Sequence, residues 1–138
     1  VGRPRPRRVA QRGGSGDWPA DHRQELAVSA RAKRIDDAFA ALADPARRRA
    51  VELLAVRPRR AGELAAAVRV SPSAMSKHLR VLRDRGLVTE AHPPHDTRVR
   101  IYSLRAAPMA DLRAWLETAE RGWSEQLAAF AAHLEKKP

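Results

Sequence analysis

The stretch SPSAMSKHLRVLRDRG, Ser71 to Gly86, sets the firmest limits on how this chain folds. Ser71 is a typical helix N-cap, and Pro72 fits the first helical position because its missing N–H has no helical partner there. Gly86 fits the left-handed residue that follows a helix end. The stretch therefore predicts one helix with a defined start and a defined end.

The two sides of this predicted helix differ in chemistry. One side carries an apolar stripe, which predicts packing against a core: Met75, Leu79 and Leu82. The opposite side carries small hydroxyls beside single cations: Ser73, Ser76, Lys77 and Arg80. A helix that enters the major groove of DNA needs these residue types, because they approach the bases closely and donate to phosphates and guanine edges. Considered alone, scattered Ser, Lys and Arg more commonly form an ordinary solvated helix face.

The neighbouring segments favour the DNA-binding interpretation. AGELAAAV, Ala61 to Val68, predicts a short helix, and only Arg69 and Val70 separate it from Ser71. Two helices joined by so tight a turn form a helix-turn-helix. The β-branched runs LVTEA and RVRIYSL flank the turn-rich HPPHDT and predict a two-stranded β-hairpin. A hairpin directly after the second helix makes the motif a winged helix.

Two arginines of the predicted hairpin are candidate DNA contacts. Arg98 and Arg100 alternate with Val99 and Ile101, so the two-residue period of a strand places both guanidinium groups on one face. From that face they would reach a groove or its phosphates. An edge strand protected by charge is the alternative.

Three further helices are predicted around this motif. Val28, Ala32, Ile35, Phe39 and Leu42 recur at helical spacing. A second helix begins at Pro45 behind an Asp44 N-cap and ends before Pro58. A long amphipathic helix runs from Pro108 to about Lys136. The predicted fold class is therefore mainly α, with one small wing.

Length and composition predict one winged-helix domain over residues 27–138, preceded by a basic, disordered tail over residues 1–26. The tail is rich in Pro, Gly and Arg and has almost no apolar periodicity. The 27 basic and 16 acidic residues give a formal charge of +11, which favours nucleic acid or an anionic membrane surface as partner. No apolar run is long enough to span a bilayer, so we expect a cytoplasmic protein.

Catalysis and metal binding find little support in the sequence. The chain has no cysteine, which excludes thiolate ligands, disulfides and cysteine nucleophiles. No nucleophile and base stand at a recognisable catalytic spacing, so we expect no enzyme activity. The five histidines lack partners at ligand spacing, so we expect neither a metal nor a cofactor.

Three segments resemble the ArsR/SmtB family of winged-helix repressors: LADPARRRAVELLA, AGELAAAVRVSPSAMSKHLRVLRDRGLV, and the arginine-bearing hairpin that ends in IYSL. The resemblance implies a homodimer that binds an operator and releases it on sensing a ligand. It also implies that the first and last helices form the dimer interface, with a core of Ile35, Phe39, Trp115, Trp123 and Phe130. A pocket for a planar apolar compound is the alternative role for Trp115 and Trp123.

The chain departs from the family pattern at several positions. Arg69 stands where the turn usually has Gly, which predicts a non-Gly residue at positive φ, and Arg60 replaces the usual capping hydroxyl. Metal-sensing members carry two cysteines at the positions of Arg60 and Gly62, and neither residue here binds metal. At the family's C-terminal site, Asp111 is followed by Arg113, and His133 stands alone.

The sequence thus predicts a homodimeric repressor that binds double-stranded DNA at an inverted-repeat operator, without a metal sensor. A basic architectural protein that coats DNA regardless of sequence is the alternative, because the charge and the tail suit both. The identity of a small-molecule effector, if one exists, stays open.

Overall fold

A computed structural model describes Gly2 and residues 19–136. In this part of the chain the elements are α1 (Ala20–Leu42), α2 (Pro45–Val56), β1 (Arg59–Arg60), α3 (Ala61–Val68), α4 (Pro72–Asp84), β2 (Val88–Ala91), β3 (Ile101–Leu104) and α5 (Ala106–Glu135). The predicted winged helix-turn-helix with a long C-terminal helix is confirmed. One element was not predicted: the two-residue strand β1.

The core lies where α2, α3 and α4 meet the sheet and the adjoining parts of α1 and α5. Its largest fully buried side chains are Leu64, Met75, Leu79, Leu82, Leu87 and Val88. They come from α3, α4, β2 and the turn before β2, so the helix-turn-helix and the wing share one core. The predicted apolar stripe of α4 is wholly buried, and this burial fixes the orientation of the opposite, exposed side.

The helix ends follow the local sequence signals. Ser71 Oγ accepts a hydrogen bond from the Ala74 N–H at 3.1 Å, which confirms the N-cap of α4. Gly86 has a φ of 80°, and the Leu87 N–H donates to the Leu82 carbonyl at 2.9 Å in a left-handed cap. Arg69 occupies the same conformation after α3 with a φ of 63°, as predicted for this turn.

The three strands form one antiparallel sheet in the order β1-β3-β2, with Val88 opposite Leu104 and Ala91 opposite Ile101. The prediction that a strand includes Arg98 and Arg100 is wrong, because β3 begins at Ile101. Pro93 and Pro94 lack N–H groups. The Val99 carbonyl oxygen lies 3.0 Å from Nδ1 of the His92 ring, so a side chain and not a backbone N–H is its partner. The ladder of backbone hydrogen bonds therefore stops at Ala91, and the two arginines share no strand face.

Helix α1 begins at Ala20, seven residues before the predicted domain boundary at residue 27. Residues 20–26 are helical rather than disordered, because Pro19 precedes a run of good helix formers and the Arg23 N–H donates to the Pro19 carbonyl at 3.1 Å. Residues 1 and 3–18 of the predicted tail lie outside the described part of the chain.

Helix α5 spans about 45 Å, and only its beginning packs against the core. Pro108 and Leu112 are buried, whereas every residue from 115 to 136 is exposed. The exposed length carries the large apolar side chains Trp115, Leu116, Trp123, Leu127, Phe130 and Leu134. No helix among the described residues is long and apolar enough to cross a membrane.

Candidate nucleic-acid interface

The exposed side of α4 carries the four predicted DNA contacts together. Ser73, Ser76, Lys77 and Arg80 are all exposed, and the stripe on the other side of the same helix is buried in the core. The N-terminal turn is fixed by Ser71, whose hydroxyl lies 3.2 Å from that of Ser73. This helix therefore presents a polar, basic surface on a rigid support.

The two cations on this side, Lys77 and Arg80, have no partner for their side chains in the described part of the chain. Within residues 19–136, neither Lys77 nor Arg80 forms an ion pair or hydrogen bond through its side chain. Most other cations of the fold are engaged: Arg47 and Arg48, for example, donate to carbonyls at the end of α1. Two unpaired cations on one helix face are available to an external anion such as a phosphate.

A cleft of about 100 Å³ lies between α4 and the wing. Its walls are Ser76, Leu79, Arg80, Arg83, Glu90, Arg100 and Tyr102. The structure thus brings the predicted wing residue Arg100 beside two predicted α4 residues, Ser76 and Arg80. Arg98 lies instead in the turn before β3, where its backbone N–H donates to Asp96 Oδ1 at 3.0 Å.

Glu90 on β2 is the acidic residue of this cleft, and sequence reasoning missed it. Its carboxylate lies 2.8 Å from Arg83 Nη1, 3.5 Å from Arg100 Nε and 3.6 Å from His92 Nε2. The Tyr102 hydroxyl donates to it at 3.4 Å. We call this group the Glu90 cluster: Glu90, Arg83, Arg100, His92 and Tyr102.

The geometry of the cluster keeps Tyr102 a hydrogen-bond donor. Burial raises the pKa of the Tyr102 hydroxyl, and the negative charge of Glu90 raises this pKa further.

A signal for Glu90 was present in the sequence. It lies two residues after the buried Val88, so the strand period directs a charged side chain to the inward face.

The five predicted interface residues divide into three groups. Ile35 is buried in the core of its own chain, so its main contacts are internal. The rings of Phe39 and Trp115 pack edge to face with centroids 5.1 Å apart, which joins α1 to α5 within one chain. Trp123 and Phe130 are 63% and 61% exposed.

An open groove of about 300 Å³ between α1 and α5 adjoins these residues, and its walls include Trp115 but not Trp123. A pocket for a planar compound between the two tryptophans, the alternative considered above, has no counterpart in this groove. The groove does include polar and charged walls, among them Arg31, Asp36 and Thr118.

The family's metal positions hold no suitable donor set. Arg60 and Gly62 offer no ligand atoms for a metal at the start of α3. Asp111 on α5 is engaged by Arg34 at 3.0 Å and by Arg31 at 3.9 Å. Across the described residues, no three His, Asp or Glu side chains come together as ligands. Within the described part of one chain, neither position therefore holds the three or four ligands of a typical zinc site.

Sequence comparisons agree with this geometry. Residues 44–90, which run from the cap of α2 to Glu90, match the family of the bacterial regulatory protein arsR. The HTH-type transcriptional regulator Rv2034 of Mycobacterium tuberculosis is 40% identical over 102 residues, which cover 74% of this chain and 90% of that protein. The chain belongs to the ArsR family.

Solved structures of ArsR proteins share the fold. An ArsR-like transcriptional regulator from Rhodococcus sp. RHA1 is 29% identical, with a TM-score of 0.62 over 75% of this chain and 95% of that one. A possible transcriptional regulator for arsenical resistance is 36% identical, with a TM-score of 0.54 over 73% of this chain and 95% of that one. This ArsR-family protein is therefore a DNA-binding transcriptional regulator, in a family of regulators rather than of enzymes.

Proposed function

We propose that this ArsR protein is a homodimeric repressor that binds an inverted-repeat operator with α4 in the major groove. The observation that carries the proposal is the exposed side of α4. Lys77 and Arg80, whose side chains have no partner within residues 19–136, lie there beside the small hydroxyls Ser73 and Ser76. Small residues allow close approach to the bases, and the cations suit guanine edges and phosphates.

The wing would add contacts next to those of α4. Arg98 and Arg100 are both exposed, and Arg100 lines the same cleft as Arg80. A duplex held against α4 would bring its phosphates close to this cleft. We assign the wing mainly phosphate contacts, which position the protein without reading the sequence.

Dimerisation would cover the exposed apolar side of α5. Trp123, Leu127, Phe130 and Leu134 follow one another at helical spacing and are each at least half exposed. An apolar surface of this length is unusual on a monomer and invites association. A second copy related by a two-fold axis would bury the stripe and place two α4 helices on one side of the DNA.

An architectural protein that coats DNA is the competing function, favoured by the formal charge of +11. Competition binding separates the two. A labelled duplex recovered from a randomised library should resist random competitor DNA by a factor on the order of 10³. If unlabelled random DNA displaces the labelled duplex as readily as the unlabelled selected duplex does, the result would support the architectural function instead.

We further propose that this regulator does not respond to metals or arsenite. A tight zinc site needs about four ligands, and arsenite needs thiolates, whereas the sequence has no cysteine. Titrating zinc or arsenite into the protein–DNA complex should leave its fluorescence anisotropy unchanged. Stoichiometric release by either ion, reversed by a chelator or a competing dithiol respectively, would reveal a sensor site.

A further inference from the structure

The Glu90 cluster places a negative charge within the surface assigned to DNA. The Glu90 side chain is only 12% exposed and sits between cations from two elements, Arg83 of α4 and Arg100 of the wing. Of the side chains that line the cleft among the described residues, Glu90 alone is acidic. A carboxylate in this place repels phosphates, so electrostatic attraction to DNA alone does not explain it.

The carboxylate also links α4 to the wing. Arg83 Nη1 and the Tyr102 hydroxyl both donate to Glu90 Oε2, at 2.8 Å and 3.4 Å. On the other oxygen, Arg100 and His92 approach Oε1 at 3.5 Å and 3.6 Å. The last turn of α4 is thereby tied to β3 and to the residues next to both wing strands. The carboxylate is therefore a polar link between α4 and the wing, in addition to the core packing of Leu82 against Leu87 and Val88.

The contacts of Arg83 and Arg100 with Glu90 reduce the number of unpaired cations that this surface offers to DNA. Arg83 and Arg100 are about half exposed, at 52% and 61% of their side chains, so both remain within reach of DNA. Each adds its full charge to DNA binding only when its contact with Glu90 is exchanged for a phosphate. Lys77 and Arg80, which have no such partner, need no exchange.

We propose that Glu90 is a specificity-determining residue of this regulator. It holds Arg83 and Arg100 in the cleft, so that any duplex meets a reduced positive charge. Only a duplex that seats α4 fully brings its phosphates close enough to take the two guanidinium groups from the carboxylate. Glu90 therefore weakens non-specific binding more than operator binding, and the inference rests on the proposed role of α4.

The test removes the negative charge of Glu90 and keeps the shape of its side chain. Glu90→Gln retains the size of the side chain and an acceptor for Tyr102, but releases Arg83 and Arg100 from a negative partner. We expect its affinity for random duplex to rise about three- to tenfold at low salt, with a salt slope steeper by about one unit. Affinity for the selected operator should rise less, so the ratio of specific to random affinity falls.

Glu117→Gln is the matched control. Glu117 pairs with Arg113 at 3.1 Å on α5, outside the cleft, and its replacement changes the net charge by the same amount. The control should keep wild-type affinity for random duplex. An equal rise in both variants would mean that net charge, not the cluster, sets non-specific binding, and would overturn the proposal.

A double variant distinguishes the release of Arg100 from a general disturbance of the structure. Adding Arg100→Gln to Glu90→Gln should return the affinity for random duplex toward the wild-type value, because the released cation is then absent. Wild-type random-duplex binding and salt slope in Glu90→Gln would overturn the proposal. Failure of the wild type to prefer any duplex would instead overturn the proposed function, which the random-duplex measurement does not test.

Discussion

The proposal that α4 binds DNA rests most directly on Lys77 and Arg80. Both are exposed on a helix whose other side is buried, so Lys77→Ala and Arg80→Ala should leave the fold intact. A side chain that reads a base should cost about 1–3 kcal/mol of discrimination at one position. One that meets only a phosphate should weaken binding to all sequences alike and reduce the salt slope by about one unit.

Titrations of both variants against the selected operator, at several salt concentrations, distinguish these outcomes. Arg113→Ala is the control, because it removes one cation from the exposed side of α5, away from the cleft. If both α4 variants bind like the wild type, α4 does not hold the proposed role.

The conformation of single residues was predictable from the sequence where neighbouring residues alone determine it. Gly86 and Arg69 adopt positive φ because a helix ends immediately before them, and Ser71 caps because a helix follows. Glu90 was not recognised, although the strand period marked it as inward-facing. Its partner Arg83 approaches it across the turn after α4, and Arg100 reaches it only after the chain reverses through the wing; spacing along the sequence shows neither approach.

The start of α2 is an element whose stability rests on one side chain. Asp44 accepts hydrogen bonds from the N–H groups of Ala46 and Arg47 at 2.8 Å and 3.1 Å. The bond from Arg47 is the main cause that lowers the pKa of the Asp44 carboxyl, and the nearby His78 lowers it further. Asp44→Ala should therefore lower the free energy of unfolding by about 1 kcal/mol at pH 7.

The same prediction has a defined pH dependence. Because the folded-state pKa is depressed, the charged cap stabilises the fold above the unfolded-state pKa, and this stabilisation fades as the pH falls through the folded-state value. Denaturant unfolding of wild type and Asp44→Ala should therefore differ by a constant amount from pH 7 to about pH 5 and converge as the pH falls from about 4 through the lowered pKa of Asp44. A difference that stays the same as the pH falls below about 4 would contradict a role for the carboxylate charge.

The wing is an element that should contribute affinity more than sequence discrimination. Replacing both Arg98 and Arg100 by Ala removes two exposed cations that we assign to phosphates. Binding to operator and to random duplex should weaken by similar factors, with a shallower salt slope. Unchanged affinity across a range of ionic strength would exclude the wing from DNA binding.

Elements were predictable in kind and order, and less so in extent. The bounds of α4 follow the sequence signals because Ser71 caps its start and Gly86 follows its end. The wing strand is shorter than its β-branched run, because a strand also needs a partner with free N–H groups and Pro93 and Pro94 have none. Helix α1 extends back to Ala20, since helix formers continue beyond the apolar stripe that marked its predicted start.

At the scale of the whole molecule, the exposed length of α5 predicts a dimer. Trp123→Glu puts a charge into the apolar stripe and should shift the protein toward monomer at micromolar concentration, by sedimentation. Ser124→Glu is the matched control, because it adds one negative charge among the polar residues Glu120, Arg121 and Glu125, outside the apolar stripe. A wild type that sediments as a monomer would contradict the dimer.

Selection of DNA from a randomised library tests the proposed assembly most directly, because it needs both α4 and the two-fold axis. Two α4 helices in successive major grooves on one side of the duplex lie about 34 Å apart, or 10 to 10.5 base pairs. We predict that the wild-type protein enriches an inverted repeat with its half-site centres at this spacing. Enrichment of no sequence, or of a single unrepeated site, would contradict a homodimeric, sequence-specific regulator.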